Sequence, residues 1–167
     1  MKIKDKPMIT HERLKELVEY DPETGIITWK ISHRSVTKGQ MAGTIISSGY
    51  VRISLDNRFY QRSHLAWFYV KKVWPTKFLD HINGIPTDDR IVNLREATCM
   101  QNGCNRTKQK NNTTGFKGVS QVYGGKYGAR IRSNKRIFWL GTFDDPIDAH
   151  NAYCEAAKKL HGEYAKF

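Results

Sequence analysis

Acidic residues are missing from a long part of this sequence. After Glu96 the next one is Asp144. Nine basic residues lie between them: Arg106, Lys108, Lys110, Lys117, Lys126, Arg130, Arg132, Lys135 and Arg136. A solvated surface usually mixes both signs, so a long one-sign run points to a polyanionic partner. The whole chain agrees, with 28 Lys and Arg against 16 Asp and Glu in 167 residues and a net charge of +12. Cysteine is also scarce. Cys99, Cys104 and Cys154 make an odd count with no Cys-x-x-Cys pair. A disulfide framework and a zinc ribbon are both unsupported, and no zinc is expected. A reducing, cytoplasmic setting fits. No run is apolar enough to span a bilayer, so no membrane partner is expected. Residues 1–7 lack the apolar core of a signal peptide.

The first 60 residues alternate turn signals with short apolar runs. Thr10 can cap a helix that puts Leu14, Leu17 and Val18 on one face. Thr24-Gly25 turns into a strand over 26–31. Val51, Ile53 and Leu55 alternate with Arg52 and Ser54, a half-buried strand, and Asp56-Asn57 is a two-residue hairpin turn into 58–61. Arg52, Arg58 and Arg62 are candidate phosphate contacts. Ser63 is a candidate cap for a helix over 64–70.

Residues 79–105 then combine chemistry-bearing side chains at close spacing. Asp80 and His81 are adjacent, a polar turn with Asn83-Gly84 and Asp88-Asp89 follows, Asn93 opens a strand, and Asn102 falls on the next segment. A hard divalent cation takes oxygen ligands, and Asp80 with the Asn102 amide oxygen would supply two. His81 titrates near neutrality and suits a general base. Asp80-His81-Ile82-Asn83-Gly84, then Arg90 to Arg95, then Gln101-Asn102 and Asn105, resemble the HNH endonuclease family with its ββα-metal fold. The resemblance implies Asp80 and Asn102 as metal ligands, His81 as base, and Asn93 as the residue that fixes the loop and the orientation of His81 rather than touching metal. It implies magnesium, with manganese as a substitute. Asn102 stands where many relatives carry His. Asp89 stands where Asn is usual.

Residues 107–114 contain no apolar side chain and read as a linker. Lys108 and Lys110 suit a linker lying along DNA. From Gly115 the pattern becomes three strands, over 116–122, 127–133 and 136–143, then a helix opened by Asp145-Pro146. Ala149, Ala152, Tyr153, Ala156, Ala157 and Leu160 form its inner face, and Gly162 stops it. Arg130 and Arg132 alternate with Ala129 and Ile131, so one sheet face meets the helix and the other presents arginine. The runs 115–119, 127–132 and 139–143, with Ala149 and Tyr153, resemble the ethylene-response-factor (ERF) type DNA-binding domain. That resemblance implies that Lys117, Tyr127, Arg130, Arg132, Arg136 and Trp139 face DNA.

The expected architecture is α+β. A helix-plus-sheet module spans 1–60, a ββα nuclease element 61–106, the linker 107–114 and an ERF-type domain 115–167. The expected function is a site-specific, metal-dependent endonuclease on double-stranded DNA. A monomer is favoured over a dimer, with no obligate protein partner. If the gene is phage-borne, the compartment is the host's cytoplasm. The alternative is a catalytically inactive DNA-binding regulator. A third class, an RNA- or ribosome-binding protein, shares the charge but not the groove-reading sheet.

Overall fold

A computed structural model describes residues 8–33, 35–105 and 111–167. The chain is α+β, with four α-helices and ten antiparallel strands among the described residues, and it divides into two compact units, Met1–Ala97 and Thr98–Phe167. Lys108 and Lys110, the expected linker contacts, lie outside the described residues.

In the first unit, α1 (His11–Leu17) starts where the Thr10 hydroxyl accepts from the Arg13 amide at 3.2 Å, and it buries Leu14 and Leu17. It runs directly into β1 (Val18–Tyr20), which pairs with β2 (Ile27–Trp29). β3 (Thr44–Ile45), β4 (Val51–Leu55) and β5 (Arg58–Gln61) form a second sheet. The β4–β5 hairpin turns at Asp56 and Asn57, whose φ values of 47° and 63° are those of a primed turn. α2 (Arg62–Lys71) follows at once; its cap position is Gln61 rather than Ser63, which is buried inside the helix. β6 (Phe78–His81) and β7 (Leu94–Ala97) pair with Asp80 opposite Arg95. Leu65, Ala66, Phe68 and Leu94 share one core with Leu14, Ile27, Ile53 and Leu55. The segment expected as a separate nuclease element therefore packs, up to Ala97, in the same core as the N-terminal module.

In the second unit, α3 (Cys99–Cys104) opens with a reciprocal cap between Thr98 and Gln101. β8 (Val119–Gln121), β9 (Tyr127–Ser133) and β10 (Arg136–Phe143) form a sheet with β9 in the middle. α4 (Pro146–His161) is capped by Asp145, whose carboxylate accepts from the Ile147 amide at 2.6 Å, and it ends at Gly162. Ala149, Tyr153 and Ala157 recur every fourth residue and are buried against Val119, Ala129 and Ile131. Alanine lets helix and sheet approach closely. Gly118 is needed there too: its φ is +78°, and a Cβ would overlap the Tyr153 ring.

Candidate nucleic-acid interface

The β9–β10 register sets the surface of the second unit. Arg130 lies opposite Trp139, and Arg132 opposite Ile137. Residues directly opposite one another in an antiparallel pair share a face. Arg130, Arg132, Ile137 and Trp139 are all exposed, so this is the sheet's open face. An irregularity between Trp139 and Gly141 turns Leu140 into the helix-side core while Trp139 stays outside, 56% exposed. The Trp139 ring lies over Gly128, where a Cβ would overlap it. No strand residue of this sheet is acidic. A flat, basic, partly aromatic surface on twisted strands is a shape that can enter the major groove.

Three residues expected on that face lie elsewhere. Tyr127 has the parity of Ala129 and Ile131 and packs on the helix-side cluster of Val119, Ala129 and Ala149. Lys117 is tied into the unit: its ammonium donates to the Cys104 carbonyl at 3.0 Å and the Lys166 carbonyl at 2.8 Å. Burial pushes the Lys117 ammonium below its ordinary pKa. Arg136 pairs with Ser133 at the hairpin end, so it is exposed but belongs to the opposite row from Arg130 and Arg132. Ile137 was missed. It is 63% exposed and sits beside Arg132, where an apolar side chain can meet a thymine methyl. The cross-strand register, rather than the strand's own composition, is the signal for it.

In the first unit, Asp80 and His81 are both nearly fully buried. The Arg95 guanidinium donates to the Asp80 carboxylate at 2.9 Å. His81 Nε2 lies 2.8 Å from Asp89 Oδ1, and Asp89 Oδ2 accepts from Arg62 Nε at 2.7 Å. Arg62 also donates to the Thr87 carbonyl, and the Tyr20 hydroxyl to the Asp89 carbonyl. Arg62 is therefore an internal ion-pair partner, not a phosphate contact. Burial raises the Tyr20 phenol to about 12. Asn93 is bonded within the loop: its oxygen accepts from the Asn83 amide at 3.0 Å, and its Nδ2 donates to Asn83 Oδ1 and the Asp88 carbonyl. Asp88, bonded by Arg90, is lowered to about 2. Burial lowers His64, whose Nδ1 has no hydrogen-bond partner among the described residues.

Asn102 lies on α3 in the second unit, whereas Asp80 and His81 belong to the first. Among the described residues no group of three or more His, Cys, Asp or Glu could hold a metal ion.

Arg52 and Arg58 are not brought to one face. Arg52 is exposed on the open side of β4, with its guanidinium 4.3 Å from the Phe59 ring centroid. Arg58 pairs with buried Leu55, is half-buried and reaches over Tyr60 at 5.8 Å.

No protein-family model matches the chain. It is 31% identical over 101 residues to Protein 3.8 of Escherichia phage T7, covering 54% of this chain and 74% of that protein. It is 40% identical over 74 residues to the Dehydration-responsive element-binding protein 2A of Arabidopsis thaliana, covering 42% of this chain and 22% of that one. It is 45% identical over 53 residues to the Ethylene-responsive transcription factor 3 of Nicotiana tabacum, covering 30% and 24%. The chain thus spans only 22–24% of these two plant relatives. The similarity supports a C-terminal ERF-type domain, as its strand motifs implied. It also corrects the enzyme expectation: these relatives are an element-binding protein and a transcription factor, and nothing among them supports an HNH endonuclease. No described helix is long and apolar enough to cross a membrane.

Proposed function

The chain belongs to the family of Protein 3.8 of Escherichia phage T7, and from that premise we propose that it is a DNA-binding regulator that grips double-stranded DNA with its C-terminal sheet. That relative's name states no activity, so the reading rests on the plant relatives and on the sheet. The observation that carries it is the pairing of Arg130 with Trp139 and Arg132 with Ile137 on one exposed, acid-free face.

Each side chain has a defined task. Arg130 and Arg132 lie in the middle of the sheet's central strand, so they reach the groove floor and can donate in pairs to guanine edges. Trp139 and Ile137 give apolar contact beside them. Lys135, in the β9–β10 turn, meets the phosphate backbone. α4 stays behind the sheet and keeps it rigid. The first unit adds Arg52 as a further exposed cation.

A randomised duplex library, selected on the full chain and sequenced, tests this reading. Enrichment of one motif with guanines at fixed positions is expected. Recovery of random sequence would overturn the sequence-specific part, and absence of any duplex binding would overturn the whole.

A further inference from the structure

We propose that the first unit carries a second nucleic-acid site, a groove in which an unpaired base of a single strand stacks on the surface that Phe59 and Arg52 form together. The groove holds about 880 Å³, within the ~300–1,000 Å³ range of small-ligand sites. One wall is the open side of the β3–β4–β5 sheet, with Arg52 and Phe59. The other carries Trp29, His33, Gln40 and Met41. That second wall is fixed by backbone bonds: Trp29 donates to the Gln40 carbonyl at 2.9 Å, and His33 and Val36 form a bridge. The site is therefore preformed.

Its chemistry favours nucleic acid. Phe59 is 59% exposed and Met41 57%, so two large apolar side chains face solvent inside one groove. The Arg52 guanidinium over the Phe59 ring offers a second planar surface and a charge for phosphate. The lining's one acid, Asp56, is already held by Arg13 at 3.1 and 3.2 Å, which leaves Arg52 to set the sign of the groove. Bases in a duplex stack on each other and show only their edges, whereas a ring face inside a concave groove needs an unpaired base. Single-stranded DNA and RNA share the stacking bases and phosphates that this surface would recognise.

The test uses the full chain and labelled oligothymidine and oligouridine of about 12 nucleotides. Anisotropy is read in excess unlabelled duplex, which occupies the C-terminal sheet. Both strands are expected to bind, and binding of one alone would identify the source. Phe59→Ala should weaken single-strand binding about tenfold, and Phe59→Trp should retain it. Arg52→Ala should weaken it and reduce the salt slope by ~0.7. Phe59 is exposed, so thermal melting should not move. Arg130→Ala should affect duplex binding alone, which keeps this site separable from the duplex reading. No single-strand binding, or full binding by Phe59→Ala, would overturn the proposal. An equal loss of duplex binding in Phe59→Ala would also overturn it, because the groove would then be a duplex contact.

Discussion

The Trp139 ring lies over Gly128 on the open face of the C-terminal sheet, in space that a Cβ would fill. Glycine at 128 is what allows a large aromatic to sit low beside Arg130 without leaving the strand. Gly128→Ala should lift the ring. Duplex affinity should fall several-fold, while stability drops by only ~1–3 kcal/mol, the usual cost of added core volume. Binding isotherms and urea melts on one sample check both parts. Unchanged affinity would mean that Trp139 does not touch DNA.

The arginines and the turn lysine should behave differently. Arg130→Ala and Arg132→Ala should each lose ~1–3 kcal/mol of discrimination at one or two base pairs. Lys135→Ala should weaken every sequence alike and reduce the salt slope by ~0.9. Competition between selected and mismatched duplexes at two salt concentrations separates the two patterns.

Asp89 is 1% exposed and holds both Arg62 and His81. Asp89→Ala would leave a buried guanidinium without its counter-ion. The expected loss is ~3–5 kcal/mol, read from chemical denaturation of the full chain. Loss of less than ~1 kcal/mol would mean that the pair is as weak as a surface bridge.

His64 and the hydrogen-bonded carboxylates Asp21, Asp88 and Glu96 shape the acid side of the stability curve. His64 is lowered by burial, so its folded pKa lies below the unfolded one. Its contribution is full above about pH 6.5 and is lost as pH falls through that value, because the unfolded chain protonates first. Asp88 is lowered to about 2 by Arg90. Its contribution is full above its ordinary value of 3.8 and is lost as pH falls toward about 2. Thermal melts from pH 7 to 2 should show two separate declines. His64→Gln should remove only the upper one.

Local pattern and tertiary partnership were not equally legible in the sequence. The Val51-Ile53-Leu55 alternation, the Asp56-Asn57 turn, the alanine face of α4 and the Gly162 stop are short-range signals, and each appears where expected. Arg62 and Asp89 are 27 positions apart, and nothing local to either names the other. The same holds for Asp80 and Arg95, which meet only through the β6–β7 register. Asp80-His81 therefore read as free catalytic groups, while the folded chain engages both in buried contacts. For Tyr127 the family resemblance pointed to DNA, against its strand parity with Ala129 and Ile131, which marks the helix side where it packs. Lys117 was not legible, because its acceptors are carbonyls of Cys104 and Lys166, brought near only by folding.

The most direct test of the central claim is duplex binding by a chain whose open sheet face has been neutralised. Arg130→Ala/Arg132→Ala/Trp139→Ala should stay folded with only a small drop in melting temperature, since all three side chains are exposed while the Trp139 ring also rests on Gly128. Titrated against the duplex enriched from a random library, it should lose that preference and at least ~100-fold in affinity, two arginine–guanine contacts' worth. Retained affinity and preference would contradict the account, because the duplex would then be read by some other surface.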